Sequence, residues 1–250
     1  MCTILFSWKN TPGYQLILLA NRDEFYERPT STAHWWDDHS NLLGGRDLKA
    51  GGTWMAINKE GRFAAVTNYR KFPLEGPFHT SRGELVTNFL TSGIQPEKYF
   101  EELDRNRQSY DGYNLIFGDR NRLFYHSNRG PGKALTPDNY GLSNHLLDTP
   151  WPKVKKGKKF LADSLQNGNF QKRELFEILT DSETAADDEL PDTGIGLEKE
   201  RMLSPVFITS QDYGTRLSTV MSIRNDGLVN FHERSHNPTH DQEFEFRLEQ

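Results

Sequence analysis

Cys2-Thr3-Ile4-Leu5-Phe6 and Leu16-Ile17-Leu18-Leu19-Ala20-Asn21-Arg22-Asp23-Glu24 are the two stretches that decide the fold of this 250-residue chain. Both are apolar runs that favour β-strands, and the segment Asn10-Thr11-Pro12-Gly13 between them is typical of a turn. The chain is therefore predicted to open with a β-hairpin. Its first strand begins at the only cysteine, and its second strand runs into four consecutive polar residues.

The position of Cys2 allows two interpretations, one catalytic and one structural. If an aminopeptidase removes Met1, Cys2 carries both a thiol and the α-amine of the chain, and that amine can act as the general base for the thiol. This is the arrangement of N-terminal-nucleophile hydrolases. The other reading is structural, because a free cysteine behaves as a small hydrophobic residue and suits the start of a buried strand.

The remaining pattern alternates between strands and pairs of helices. Residues 25–50 are predicted to be irregular, and a second hairpin is predicted over 53–58 and 63–68. Ser81-Arg82-Gly83-Glu84 has the form of a capping box and predicts a helix start, while Pro96 suits the first turn of the next helix. Strands are predicted at 113–118 and 123–127, and helices from Trp151 and over 173–179.

The C-terminal part begins with an acidic segment, 181–200, which we predict to be a mobile loop. Strands are then predicted at 206–209, 217–224 and 228–233. Because hairpins dominate, the sheets should be antiparallel. We therefore predict one domain over 1–250, of the α/β (α+β) class, built as a four-layer αββα sandwich with helices outside two antiparallel sheets.

Composition excludes several classes of protein. The chain has 30 Lys plus Arg and 35 Asp plus Glu, a formal net charge of −5, and no basic stripe, so no nucleic-acid partner is expected. One cysteine excludes an internal disulfide framework and a cysteine-cluster metal site. We expect no metal and no cofactor. No signal peptide and no run of about 18 apolar residues is seen, so a soluble, cytoplasmic protein is expected.

Polar residues end several of the apolar strands. Asn68 follows 63–67, Asn144 follows Gly141-Leu142-Ser143, and Arg216 precedes Leu217. The Arg22–Asp23 pair at the end of the second strand costs desolvation if it is buried, and such a cost is often tolerated at a functional site. Strands that each end in a polar residue can form a cluster at one sheet edge, although each pair alone is compatible with a surface salt bridge or turn.

Taken as a set, the motifs resemble the NRDE family, the transport and Golgi organisation family. The resemblance extends over nearly the whole chain. It is carried by Cys2 and by the motifs Asn21-Arg22-Asp23-Glu24, Gly51-Gly52-Thr53-Trp54, Val66-Thr67-Asn68-Tyr69-Arg70, Ser81-Arg82-Gly83, Leu142-Ser143-Asn144, Thr149-Pro150-Trp151-Pro152-Lys153 and Tyr213-Gly214-Thr215-Arg216. That family is similar to N-terminal-nucleophile proteins of the penicillin V acylase and bile-salt hydrolase branch.

The resemblance implies roles for individual residues. Cys2 would be the nucleophile, Arg22 and Asp23 would hold its thiolate and amine, Asn68 and Asn144 would organise the oxyanion region and the amine, and Arg216 would lie near the nucleophile. Four further residues of the same motifs are candidate substrate-binding residues: Asn21, Glu24, Trp54 and Tyr69.

The implied reaction is hydrolysis of a C–N amide bond through a thioester, with a small-molecule or lipid-like acyl amide as substrate. Two alternatives stay open at this stage. The same cleft could carry a ligand such as haem or a lipid without turnover. The protein could also be an interaction protein for secretory-pathway or mitochondrial machinery.

Overall fold

The hairpin at the start of the chain is present. The computed structural model describes residues 2–73, 80–166, 168 and 170–249. Strand β1 (Cys2–Thr11) pairs antiparallel with β2 (Tyr14–Phe25), and the register places Cys2 opposite Arg22. Both strands are longer than predicted, so the polar tetrapeptide 21–24 continues β2 rather than following it.

The hairpin lies within a six-stranded antiparallel sheet. Its other strands are β10 (Asp138–Leu142), β11 (Tyr213–Arg224), β12 (Leu228–His236) and β13 (Thr239–Arg247). The strand order is β10-β1-β2-β11-β12-β13. Strand β1 is therefore internal, with β2 on one side and β10 on the other, and the residues that follow β10 pass beside Cys2.

The second sheet has seven antiparallel strands in sequence order, β3 to β9. They are β3 (Thr30–Trp35), β4 (Leu42–Asp47), β5 (Met55–Asn58), β6 (Phe63–Asn68), β7 (Tyr113–Gly118), β8 (Leu123–Ser127) and β9 (Lys133–Ala134). Each strand pairs with the next along the chain, which is the simplest antiparallel topology.

Helices cover the outer face of each sheet. Helices α1 (Gly83–Thr91) and α2 (Pro96–Arg105) pack on the seven-stranded sheet, and α3 (Pro152–Leu165) and α4 (Lys172–Leu179) pack on the six-stranded sheet. Side-chain alternation along β1 separates the layers. Ile4 and Phe6 join the core between the sheets, whereas Leu5 joins the core beneath α3 and α4. The predicted αββα sandwich is confirmed.

Two local predictions were wrong, and one strand was not predicted. Residues 25–50 contain the strands β3 and β4 rather than irregular chain. Residues 206–209 do not form a strand, and only Thr209 makes an isolated bridge, to Gly214. Strand β13 was not predicted, because most of its residues are polar and few apolar side chains alternate along it. The acidic segment 181–200 contains a 3₁₀ turn, Asp187–Glu189, and the start of a short helix, α5 (Leu197–Met202); its mobility stays a prediction.

None of the helices in the described ranges is both long enough and apolar enough to cross a membrane.

Candidate active site

Cys2 lies in the space between the two sheets, where β1 begins. Its side chain is 9% exposed. It lines a small cavity together with Arg22 and Trp54, with apolar walls from Ile4, Ala20, Met55 and Val66 and further contacts from Asn21 and Thr219. The volume of this cavity is about 10 Å³, which is enough for about one water molecule. A substrate therefore needs a neighbouring element to move before it reaches the thiol from this side.

Burial dominates the electrostatics of the thiol. It raises the pKa of Cys2 above the usual value, and the carboxylates of Asp23 and Glu24 raise it further, while the Arg22 guanidinium acts in the opposite direction. A thiol with a raised pKa stays protonated at neutral pH. Nucleophilic attack from this arrangement needs a base that takes the thiol proton as the attack occurs.

Arg22 lies directly opposite Cys2 on the neighbouring strand β2 and carries a positive charge. The side chain is 5% exposed, its guanidinium stacks at 4.2 Å on the ring of Trp54, and one terminal nitrogen lies 3.8 Å from Glu24. The other terminal nitrogen, Nη1, is buried and makes no hydrogen bond within the described residues. Arg22 thus forms one wall of the cavity and retains an unused donor there.

Asp23 lies on the opposite face of the sheet from Arg22 and is fully buried. Thr215 Oγ1 donates a 2.7 Å hydrogen bond to its carboxylate, and the Tyr213 hydroxyl donates to its backbone oxygen at 3.0 Å. Burial raises the pKa of Asp23, while the charge of Lys153 and the Thr215 hydrogen bond lower it. Asp23 is therefore held rigidly beside the start of β1.

Lys153 is a buried cation that the sequence-based site did not include. It begins α3, is 4% exposed, and donates from Nζ to the carbonyl oxygens of Leu203 at 2.8 Å and Pro205 at 3.3 Å. Burial lowers its pKa to about 8, and the nearby carboxylate of Asp23 opposes that change. Asp23 and Lys153 thus stabilise each other's charged forms next to Cys2.

The segment after β10 passes beside the nucleophile. Ser143 Oγ donates to the Cys2 carbonyl oxygen at 3.5 Å, and the amide nitrogen of Asn144 donates to the backbone oxygen of Asn68 at 3.0 Å. Because an amide NH₂ has two hydrogens, Asn144 has a second donor. Asn68 ends β6 and is partly exposed. The structure thus brings Cys2, Asn68 and Asn144 to one end of the sandwich.

Arg216 and Glu24 lie around the rim of this region. Arg216 occupies a β-bulge between Thr215 and Leu217, and its Nη1 donates to the carbonyls of Phe25 and Arg28. It therefore fixes the loop that follows β2. Glu24 lies 3.8 Å from both Arg22 and Arg28. Both residues are close to the cluster, but neither lines the described cavity.

Two of the predicted substrate-binding residues have other partners. The Asn21 amide donates to the carbonyl oxygens of Leu179 and Val206 at 2.8 and 2.9 Å, and Ser218 donates to its oxygen. This side chain therefore ties β2 to the end of α4. The Tyr69 hydroxyl lies 2.8 Å from His145 Nε2, and Tyr69 lines a separate small cavity. Among the four, Trp54 has the most direct contact with the Cys2 cavity.

Arg82 is a second residue that the sequence-based site missed. Its Nη1 donates to Asp111 at 3.2 Å, and burial lowers its pKa, while Asp111 and then Glu24 and Cys2 oppose that change. Arg82 therefore lies within electrostatic reach of the nucleophile. Arg82 and Lys153 both fall in motifs that carry the family resemblance, and that was the available signal. Arg82 directly precedes α1 and Lys153 lies in α3, so both are distant from β1 in sequence.

A buried ion pair closes the region from the side of the acidic segment. Arg70 Nη2 lies 2.7 Å from Glu200 Oε2, with both side chains at most 5% exposed. Glu200 also accepts hydrogen bonds from the backbone and hydroxyl of Thr193, and Arg70 stacks on Trp151. The end of the segment 181–200 is thereby joined to the loop after β6.

Within the described ranges, no group of three or more His, Cys, Asp or Glu residues is arranged to hold a metal ion.

The chain matches one protein family over most of its length. The family model described as "Transport and Golgi organisation 2" matches residues 1–238. The "Transport and Golgi organization protein 2 homolog" of Homo sapiens is 38% identical over 257 residues, which covers 94% of this chain and 93% of that protein. The Drosophila melanogaster "Transport and Golgi organization protein 2" is 29% identical over 265 residues, covering 94% and 92%.

Two solved structures overlap most of the chain at low similarity. One is a mutant C2A conjugated bile acid hydrolase from Clostridium perfringens, with a TM-score of 0.45, 11% identity, and 99% and 92% of the two chains covered. The other is the Caenorhabditis elegans ortholog of N-acylethanolamine-hydrolyzing acid amidase, with a TM-score of 0.40, 12% identity, and 88% and 92% covered.

Proposed function

The chain belongs to the Transport and Golgi organisation 2 family, and we propose that it is an N-terminal-cysteine amidohydrolase that cleaves a C–N amide bond of a small or lipid-like acyl amide. The observation that carries the proposal is the surroundings of Cys2. The only cysteine of the chain lies at the start of an internal strand, opposite Arg22 and within reach of the buried pair Asp23 and Lys153. Buried charges of this density are costly, and a catalytic role accounts for them.

The proposed mechanism begins with removal of Met1, which frees the α-amine of Cys2. The amine takes the thiol proton as Sγ attacks the carbonyl carbon of the substrate, and charge develops on the carbonyl oxygen. Collapse of the tetrahedral intermediate breaks the C–N bond, the leaving amine takes the proton, and a thioester remains on Cys2. Water then attacks the thioester, and the C–S bond breaks to release the acid and restore the thiol.

Neighbouring side chains suit these steps. Asp23 stabilises the protonated α-amine during the attack, and Lys153 favours the ionised form of Asp23. The second N–H of Asn144 is available to the developing oxyanion, and removal of one such donor typically costs about 2.7–4 kcal/mol of transition-state stabilisation. Arg22 favours the thiolate and holds Trp54 against the cavity.

The test is acylation of Cys2 by a defined probe. Untagged protein is incubated with fatty-acyl 7-amino-4-methylcoumarin amides of increasing chain length, and coumarin release and intact mass are followed together. The proposal predicts turnover that depends on chain length, and an acyl adduct on Cys2 after an acid quench. Cys2→Ala should abolish both, while Asp23→Asn should slow turnover with the fold unchanged. Full turnover by Cys2→Ala would eliminate the nucleophile.

A second candidate function is that of a non-catalytic carrier. It is supported by an open groove of about 460 Å³ away from Cys2, between α4 and the strands β12 and β13, whose lining combines Phe176 with the charged side chains of Lys172, Arg173, Arg234 and Asp241. A carrier would bind a ligand with both an apolar and a charged part there, with the same affinity in wild type and Cys2→Ala. Binding of haem, like a role as an interaction protein, rests on the family resemblance and stays a prediction.

A further inference from the structure

Exposed apolar side chains are concentrated at one end of the sandwich. Among the described residues, the large hydrophobic side chains that are strongly exposed are Phe25 (53%), Leu48 (58%), Phe72 (46%) and Leu197 (52%). Single exposed apolar residues are normal and need no explanation. Four such residues at one end of the fold, and no others in the described ranges, are less expected.

All four lie at the end of the sandwich where Cys2 begins β1, either in a loop or at the first or last residue of an element. Phe25 is the last residue of β2, three residues beyond Arg22, which pairs with Cys2. Leu48 directly follows β4. The Leu48 backbone donates to the Pro29 carbonyl at 3.0 Å, so these two loops are adjacent. We call Phe25, Leu48, Phe72 and Leu197 the apolar rim.

The other half of the rim belongs to the loops on the opposite side of Cys2. Phe72 lies four residues beyond the end of β6, and its backbone donates to the Thr193 carbonyl at 3.0 Å. This contact joins Phe72 to the segment that leads into Leu197. The neighbouring Arg70 backbone donates to the carbonyl of Asn144 at 2.7 Å, beside the candidate active site. The apolar rim therefore borders the end of the sandwich at which Cys2 begins β1.

Unpaired cations accompany two members of the rim. Lys49 follows Leu48 and Lys71 precedes Phe72. Both lysines are exposed, and neither takes part in an ion pair with the described residues. Lysine next to exposed apolar side chains is the arrangement found where proteins contact the lipid interface, because the ammonium reaches the headgroups while the apolar side chain enters the acyl boundary. Exposed carboxylates lie at the same end and outnumber these two lysines, among them Glu27, Asp192 and Glu198, so the preference for anionic lipid should be partial and the apolar side chains should supply most of the binding.

We propose that the apolar rim docks this end of the protein on a lipid bilayer. The rim would place the entrance to Cys2 at the membrane surface, where lipid-like molecules are concentrated. Docking uses loops and needs no membrane-spanning helix. It also does not require the thiol, so it stands or falls independently of the proposed hydrolysis.

Flotation with vesicles tests the docking. Untagged protein is mixed with phosphatidylcholine vesicles containing 0 or about 30% phosphatidylserine, and the floated fraction is measured against lipid concentration. Wild type and Cys2→Ala should float equally well, and better with phosphatidylserine. The variant Phe25→Ser/Leu48→Ser/Phe72→Ser/Leu197→Ser should lose binding at every composition. Because the four side chains are exposed, thermal unfolding should show a folded variant.

Charge variants separate the rim from a general surface effect. Each lysine near an anionic surface contributes roughly a fivefold increase in binding, so Lys49→Glu/Lys71→Glu should weaken binding to phosphatidylserine vesicles by about twentyfold or more. The control Lys98→Glu/Lys155→Glu makes the same change of net charge on α2 and α3, away from the rim, and should bind nearly as wild type. Equal flotation of wild type and the four-serine variant, or no flotation of wild type at all, would overturn the proposal.

Discussion

Glu233 gives a prediction whose size follows from its position between the sheets. This β12 side chain is 1% exposed, and its Oε1 accepts a 2.6 Å hydrogen bond from the backbone of Ala33 in β3. Its Oε2 is buried and makes no hydrogen bond within the described residues. Burial raises its pKa from the usual 4.5 to about 7, while the Ala33 hydrogen bond and the charge of Arg22 lower it.

The sign of the pH dependence follows from this difference. The folded state prefers the protonated carboxyl, so the stabilisation from Glu233 is complete below about pH 4.5 and is lost as the pH rises through about 7. The difference between 4.5 and about 7, at about 1.36 kcal/mol per pKa unit, corresponds to about 3 kcal/mol. Glu233→Gln keeps an acceptor for Ala33 and cannot ionise. It should therefore remove about 3 kcal/mol of the loss of stability between pH 4.5 and pH 8.

Urea unfolding at pH 4.5, 6 and 8 measures the effect. The free energy of unfolding of Glu233→Gln minus that of wild type should be about 3 kcal/mol larger at pH 8 than at pH 4.5. The exposed Glu245→Gln on the neighbouring strand β13 is the matched control and should track wild type. If the difference between Glu233→Gln and wild type is the same at all three pH values, Glu233 is not the buried titrating carboxyl that its surroundings indicate.

Other predictions concern the contacts around the candidate site. Arg70→Met leaves the buried carboxylate of Glu200 unpaired and should cost roughly 3–5 kcal/mol of unfolding free energy; urea unfolding should then show that the double variant with Glu200→Gln recovers part of the loss, and purely additive losses would contradict the coupling. Gly45→Ala places a methyl group about 2.2 Å from the Trp54 ring, so Trp54 should be displaced from Arg22, with a change in tryptophan emission and faster alkylation of Cys2. Arg22→Gln removes one of the cationic groups that lower the thiol pKa, so the pH profile of iodoacetamide alkylation should move to higher pH, and an unmoved profile would mean that Arg22 does not act on the thiol.

Continuous apolar runs identified the strands that are buried on both faces. The β1–β2 hairpin and the strands β6, β7 and β8 were predicted because their apolar runs are continuous between clear turns. Residues 25–50 were misread because β3 contains an irregularity between Ser31 and His34 and β4 contains Gly44-Gly45, which interrupt the pattern. Strand β13 was missed because it is an edge strand with charged residues on one face, as is common at exposed edges.

The site was predictable only in part. Cys2, Arg22 and Asp23 are local to the hairpin, so their proximity follows from its register. Lys153 lies in α3 and Arg82 directly precedes α1; both are far from β1 in sequence, and only the packing of these helices against the sheets brings them near it. Asn21 was named as a candidate substrate-binding residue because it belongs to a motif of the family, and that stays a prediction. No sequence pattern indicated that its amide also joins β2 to the carbonyl oxygens of Leu179 and Val206.

The central claim is that Cys2 becomes a reactive N-terminal nucleophile. Intact mass of the purified, untagged protein, recorded before and after a short exposure to iodoacetamide at several pH values, tests it most directly. The account predicts a mass that lacks Met1, one carbamidomethyl group added at Cys2, and a pH profile that moves in Asp23→Asn. The contrary result would be a protein that retains Met1 and whose Cys2 thiol resists alkylation in the native state and reacts only in urea.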